Sequence, residues 1–241
     1  MSSVKKNYIY NVTYEILLII IPLITSPYIS RVLGAKQVGI YSYCYSIVSY
    51  FILFARLGII NHGSRSIAAA INQKEKNEIF SNTVAVQGIL SILVIMAYGI
   101  YLHGFCKQNN QIAIIMLLYL LAAAFDINWF FFGSEQFKVT VSRNIIIKIS
   151  STVLLFVFVK EKNDLWRYVI ILSLSQLVGQ VAIWPYLKGQ IKLVKPQIKK
   201  MKNQLIPMFV LFIPQIAVSL YKMMDKIMIG WFCAKEQLGY Y

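Results

Sequence analysis

Polar side chains recur at helical spacing inside otherwise apolar stretches of this chain. Ser42, Ser46, Ser49 and Arg56 follow one another by 4, 3 and 7 residues; Ser173, Gln176 and Gln180 by 3 and 4; Gln215, Ser219, Lys222 and Lys226 by 4, 3 and 4. Those steps place each group on one helical stripe. Hydroxyls and amides in such stripes either tie neighbouring helices together or line a wet cavity, and both readings stay open for Ser46 and Gln215. For Arg56, Lys222 and Lys226 a water-filled cavity is favoured, because a charge at the bilayer centre costs about 2.5–3.5 kcal/mol even on the lenient insertion scale.

Asp126 and Lys148 form the other informative pair. At 1.5 Å of rise per residue they fall about 10 Å and about 7 Å from the same membrane face. Similar depth predicts an ion pair, either structural or engaged in proton or cation coupling. Glu15, just ahead of an apolar run, is a weaker coupling candidate at the membrane interface.

The elements that must hold these groups are seven apolar stretches, at about residues 8–33, 38–60, 83–103, 111–133, 144–159, 166–187 and 205–232. Most reach the roughly 20 helical residues that a bilayer core requires. With 58% hydrophobic and 14% charged residues and a mean hydropathy of +0.62, the chain has too little polar surface for a soluble domain. The expected fold is all-α: a polytopic membrane helical bundle.

Charge excludes one class and sets an orientation. The net charge of +15 comes from basic residues scattered between apolar spans, the pattern of membrane topology rather than of a nucleic-acid groove. With a cytoplasmic N-terminus, the inner side receives twice as many basic side chains as the outer, led by the lysines of residues 188–204. Residues 61–80 carry Ile67, Ile71 and Ile79 among Lys74, Glu75 and Glu78, and predict an amphipathic helix lying on the inner membrane surface. Cys44, Cys106 and Cys233 show no ligand spacing, so no disulfide framework, metal site or cofactor is expected.

An internal echo defines the organisation. Gln37-Val38-Gly39-Ile40-Tyr41 after the first span reappears as Gln237-Leu238-Gly239-Tyr240-Tyr241 after the seventh, and both spans contain an Ile-Pro step, at Pro22 and Pro214. Repeated helical halves of this kind build many transporters. The expected units are a six-helix lobe over residues 1–187, a basic cytoplasmic linker over 188–204, and the first helix of a second, truncated lobe over 205–241. Pro22, Pro27 and Pro214 predict bent or broken helices, which at membrane depth belong beside a cavity or inside protein.

The segment from Asp126-Ile127-Asn128-Trp129 to Gln136-Phe137-Lys138, followed by Arg143-Asn144 and Lys148, resembles the span-four-to-five signature of polysaccharide repeat-unit flippases, members of the multidrug, oligosaccharidyl-lipid and polysaccharide exporter superfamily. Pro27-Tyr28-Ile29-Ser30-Arg31-Val32-Leu33-Gly34 and Ile213-Pro214-Gln215 resemble the first and seventh spans of the same family. The resemblance implies two lobes around a central cavity in the cell membrane. It also implies a polyprenyl-pyrophosphate-linked oligosaccharide as substrate, flipped outward for capsule, exopolysaccharide or O-antigen synthesis, with the polymerase machinery as a partner. Arg31, Arg56, Lys222 and Lys226 would then form a basic path for the anionic head group, with Gln215 and Ser46 beside it. Tyr41, Tyr43, Tyr45 and Tyr50 would stack on sugar rings or anchor the spans at the interface.

Rival readings are a drug or cation antiporter of the same superfamily, a non-functional fragment, and a membrane glycan polymerase. The antiporter would need an acidic cavity, whereas only Asp126 and Glu15 fall within the first-lobe spans. An enzyme is disfavoured by short outer loops, isolated His62 and His103, and the lack of any triad, metal or phosphate-loop motif.

Overall fold

The computed structural model describes the backbone of residues 2–104, 106 and 109–241, and within these the side chains of Val12, Ile16 and residues from 18 onward. The Glu15 side chain lies outside the described residues. All regular structure described is helical: α1 (Ser2–Arg56), α2 (Ile59–Ala69), α3 (Gln73–Gly104), α4 (Asn110–Ile115), α5 (Leu117–Ala124), α6 (Asn128–Gly133), α7 (Phe137–Phe158), α8 (Leu165–Val181), α9 (Ile198–Phe232) and α10 (Lys235–Tyr240). Long apolar helices follow from the composition, because in hydrocarbon each backbone N–H and C=O must find its partner within the segment.

Among the described residues six helical stretches are long and apolar enough to cross a membrane, the first running from Leu18 to Ala69. That stretch holds the first two expected spans, separated at Gly34, whose φ of 79° and ψ of 162° leave the helical region. Only glycine takes this φ without strain. The prolines do not make the break: helix continues through Pro22 and Pro27 in α1 and through Pro207 and Pro214 in α9. The protein is therefore a multi-pass membrane protein, and none of the four prolines within α1 and α9 interrupts its helix.

Two hydrophobic clusters hold the bundle. One, at the Gly34 end, joins Ile29, Leu33, Ile40, Cys44 and Val48 to Tyr98, Met116, Leu120, Val159 and Val169. The other, at the opposite or linker end, joins Ile59, Ile67, Phe80, Trp129, Phe130, Phe131, Ile183 and Met208. The expected surface helix belongs to this second cluster. It is α2, and its apolar face packs on α6 rather than on lipid: a Cβ on Gly63 would lie 2.6 Å from the Trp129 ring, and one on Gly133 would lie 2.4 Å from the Ser64 carbonyl. Glycines at both sides of the crossing let the two helices touch.

Helix α9 starts at Ile198, within the basic stretch of residues 188–204. The extended chain before it is strapped to α3. Asn77 Oδ1 accepts from Lys192 N (3.1 Å), Ser81 Oγ from Val194 N (3.0 Å) and Asn82 Oδ1 from Gln197 N (2.7 Å).

Candidate functional site

The three polar stripes meet. Ser49 and Arg56 from α1, Gln176 and Gln180 from α8, and Gln215 and Ser219 from α9 line one cavity of about 250 Å³, together with Tyr45 and Tyr119. A second cavity of about 300 Å³ shares Tyr45, Tyr119 and Gln176 with the first, and adds Tyr41, Arg143, Asn144, Lys148, Ser151 and Ser175. Cations, amides, hydroxyls and tyrosines therefore line both cavities, and among the described residues no carboxylate does.

The Asp126 carboxylate lies behind the wall, in a helix break of the fourth span. Between α5 and α6, residues Phe125, Asp126 and Ile127 leave the helix, freeing carbonyls that must be satisfied at membrane depth. Gln87 of α3 does most of this: its Nε2 donates to the carbonyls of Ala123 (2.8 Å), Ala124 (3.2 Å) and Asp126 (3.0 Å). Trp184 Nε1 donates to the Phe125 carbonyl at 3.0 Å, and Trp129 Nε1 holds Gln87 by donating to its Oε1 at 3.3 Å.

Asp126 is paired with Arg56, not with Lys148. Arg56 Nη2 donates to Asp126 Oδ2 at 2.7 Å, while Asp126 Oδ1 accepts from Asn128 Nδ2 at 2.7 Å. Asn128 passes the network on, since its Oδ1 accepts from Arg143 Nη2 at 2.6 Å. Arg143 also donates to Gln180 Oε1 at 3.2 Å and to the Gly179 carbonyl. Depth alone had matched Asp126 to Lys148; the break aims the carboxylate at the end of α1 instead. Lys148 stands five residues, about 7.5 Å of helix, beyond Arg143, which is the α7 residue that reaches the network. Among the described residues the Lys148 ammonium has no hydrogen-bond or ion-pair partner.

Other expected site residues divide. Arg56 and Gln215 face the first cavity. Ser46 does not: it is fully buried in packing and donates to the Ser42 carbonyl at 2.8 Å. Arg31 is exposed near the end of the first span, and Lys222 and Lys226 lie one and two turns beyond Ser219 on α9, exposed and half-buried, outside the lining of both cavities. Tyr41 and Tyr45 belong to an aromatic wall, with Tyr41 edge-on to Tyr168 at 4.9 Å and Tyr45 edge-on to Tyr119 at 5.4 Å. Tyr43 sits apart under the Lys235 ammonium, 3.4 Å from the ring centre, and burial lowers the pKa of that ammonium. Sequence reasoning did not single out Arg143, Asn128 or Gln87 as site residues; Arg143 lies just before the apolar stretch at 144–159, yet it belongs to α7 and shares a face with Ile147 one turn on. Among the described residues Cys44, Cys106 and Cys233 form no disulfide.

The echoed segments meet at the Gly34 end. A Cβ on Gly39 would fall 1.8 Å from the Lys235 carbonyl oxygen, and one on Gly239 would fall 1.8 Å from the Ala35 carbonyl oxygen. Each glycine thus faces the residue four positions before the other, the reciprocity expected of two repeats related by a pseudo-two-fold axis.

The profile of the family described as polysaccharide biosynthesis protein matches residues 4–241, nearly the whole chain. The chain belongs to that family. It is 26% identical over 242 residues to the "Putative O-antigen transporter" of Escherichia coli K12, covering 98% of this chain and 58% of that protein. A protein of the same name from Shigella dysenteriae is 26% identical over 216 residues, 88% of this chain and 54% of its own length. The chain thus spans little more than half the length of these curated family members. No solved structure matches it.

Proposed function

We propose that the protein acts as a flippase for polyprenyl-pyrophosphate-linked oligosaccharide repeat units, moving them across the cell membrane from the cytoplasmic leaflet for O-antigen, capsule or exopolysaccharide synthesis. The observation that carries this reading is the lining of the paired cavities, in which Arg143 and Lys148 stand among amides and tyrosines and to which none of the described residues contributes a carboxylate. A pyrophosphate head group needs fixed positive charge and hydrogen-bond donors when it leaves water. Sugars need amides, hydroxyls and aromatic faces, while the polyprenyl tail stays in lipid. The family, and relatives named as transporters, favour a carrier over an enzyme.

On this reading residues 1–187 form one lobe, with the N-terminus cytoplasmic, and α9 opens a second lobe across the central cavity. α9 suits that position because much of its surface is unburied, including Ile206, Phe209, Val210 and Ile213. A cation antiporter fits less well, because Asp126, the carboxylate behind the cavity wall, is already engaged by Arg56.

Disruption of the gene tests the proposal. Lipid-linked repeat units should then accumulate on the cytoplasmic leaflet, surface glycan should fall, and expression of the protein should reverse both. Unchanged surface glycan in the disrupted strain would overturn it.

A further inference from the structure

We propose that the second cavity, built around Lys148, is the seat of the substrate's pyrophosphate and first sugar, and that Arg56 is not. This rests on the carrier reading above and assigns the head group to one place within it.

A lysine in mid-helix of a membrane span is costly unless something meets its charge. Lys148 lies in the middle of α7 (Phe137–Phe158), half-buried, and among the described residues its ammonium meets no acceptor. Its side chain nevertheless faces a cavity. Asn144, Ile147, Lys148 and Ser151 follow at 3, 1 and 3 residues, which gives a single α7 stripe along the cavity wall. Across from it stand Ser175 and Gln176 of α8, and Tyr41, Tyr45 and Tyr119 close the remaining side.

Arg56 contrasts with this. Its guanidinium is 2.7 Å from a carboxylate whose side chain is 4% exposed. An incoming anion there would compete with Asp126 and meet its repulsion, whereas at Lys148 it would supply the missing counter-charge. Opposite charges a few ångströms apart in a poorly hydrated site attract strongly.

The lining also limits what can enter. At about 300 Å³ the cavity stands at the small end of ligand pockets. It suits a phosphorylated sugar unit rather than a whole oligosaccharide. Tyrosine rings beside a lone ammonium match a sugar ring joined directly to phosphate, which is the junction at which a glycan is attached to a polyprenyl pyrophosphate.

The test measures binding of inorganic pyrophosphate and of glucose 1-phosphate to the protein in lipid nanodiscs, by calorimetry and by ligand-induced thermal stabilisation. Lys148→Met should weaken both ligands at least about tenfold, as loss of a charge-assisted contact implies. Lys148→Arg should restore most of the affinity, and Arg56→Lys should change it little. Without ligand, Lys148→Met should unfold at the same or a higher temperature, because an uncompensated charge has been removed. A merely structural lysine would show the opposite sign.

Parent-like binding in Lys148→Met would overturn the assignment, as would loss of binding in Arg56→Lys alone. Both results leave the carrier reading intact, which falls only if gene disruption leaves surface glycan unchanged.

Discussion

Arg56 and Asp126 join the end of α1 to the break in the fourth span through a contact of 2.7 Å. The two sides of the pair differ: the Asp126 side chain is 4% exposed and that of Arg56 33%. Removing the arginine strands a buried carboxylate, whereas removing the carboxylate leaves a guanidinium that water in the cavity can reach. Arg56→Met should therefore destabilise the protein more than Asp126→Asn. The coupling between them in a double-mutant cycle of thermal unfolding should be about 1–2 kcal/mol, the lower part of the range for contacting residues because Arg56 is partly solvated. The cycle of Asp126→Asn with Lys148→Met should give coupling near zero; equal coupling in the two cycles would refute the pairing seen here.

Gly39 and Gly239 offer a second measurement. Neither has room for a methyl group, since each would place it 1.8 Å from a backbone carbonyl oxygen of the facing segment. Alanine at either position must push α10 away from α1, at a cost of roughly 1–3 kcal/mol typical of overpacking. The two substitutions together should cost less than their sum, because the first already opens the shared contact. Gly88→Ala, inside α3 with nothing within 4 Å of the added carbon, is the control and should leave the unfolding temperature unchanged or raise it, since alanine favours a helix over glycine. Additive losses would show that the two glycines do not share one contact.

Much of this was legible in the sequence, and what was not has a common cause. Apolar runs marked the spans, and helical spacing put Ser49 with Arg56, Gln176 with Gln180, and Gln215 with Ser219 each on one stripe; the structure brings these six residues to one cavity. The echo at Gly39 and Gly239 marked segments that proved to touch. Spacing gives depth and relative direction on one helix, but not the rotation of one helix against another. Asp126 was therefore matched by depth to Lys148 and missed Arg56, and Ser46, on the same stripe as Ser49, turned out to face packing. Amphipathicity showed that α2 has an apolar face but not whether lipid or α6 covers it. Proline content marked sites of lost hydrogen bonds, yet the described breaks fall at Gly34, where φ is positive, and at Asp126, where Gln87 supplies the replacement donor.

Gln87 is the third test. Its amide is the donor for three span-four carbonyls, and it is almost fully buried. Gln87→Leu keeps the approximate volume and deletes the donor, so carbonyls are left unsatisfied at a cost of about 1–3 kcal/mol. The break should loosen with it, and amide exchange at residues 125–128 should quicken more than in α7. Unchanged exchange there would show that the break is held by other contacts.

The strap on the linker supplies the last prediction. Asn77, Ser81 and Asn82 of α3 accept the amides of Lys192, Val194 and Gln197 and keep that extended chain against the helix. A protease must lift the backbone out of such bonds before it can cleave. Asn77→Ala combined with Asn82→Ala removes two of the three acceptors and should accelerate trypsin cleavage after Lys192 severalfold. The same cut reports orientation. If the linker is cytoplasmic, as its lysines imply, trypsin should cleave the double variant in inverted membrane vesicles and spare it in intact right-side-out spheroplasts; cleavage in spheroplasts would reverse the topology and, with it, the direction of transport.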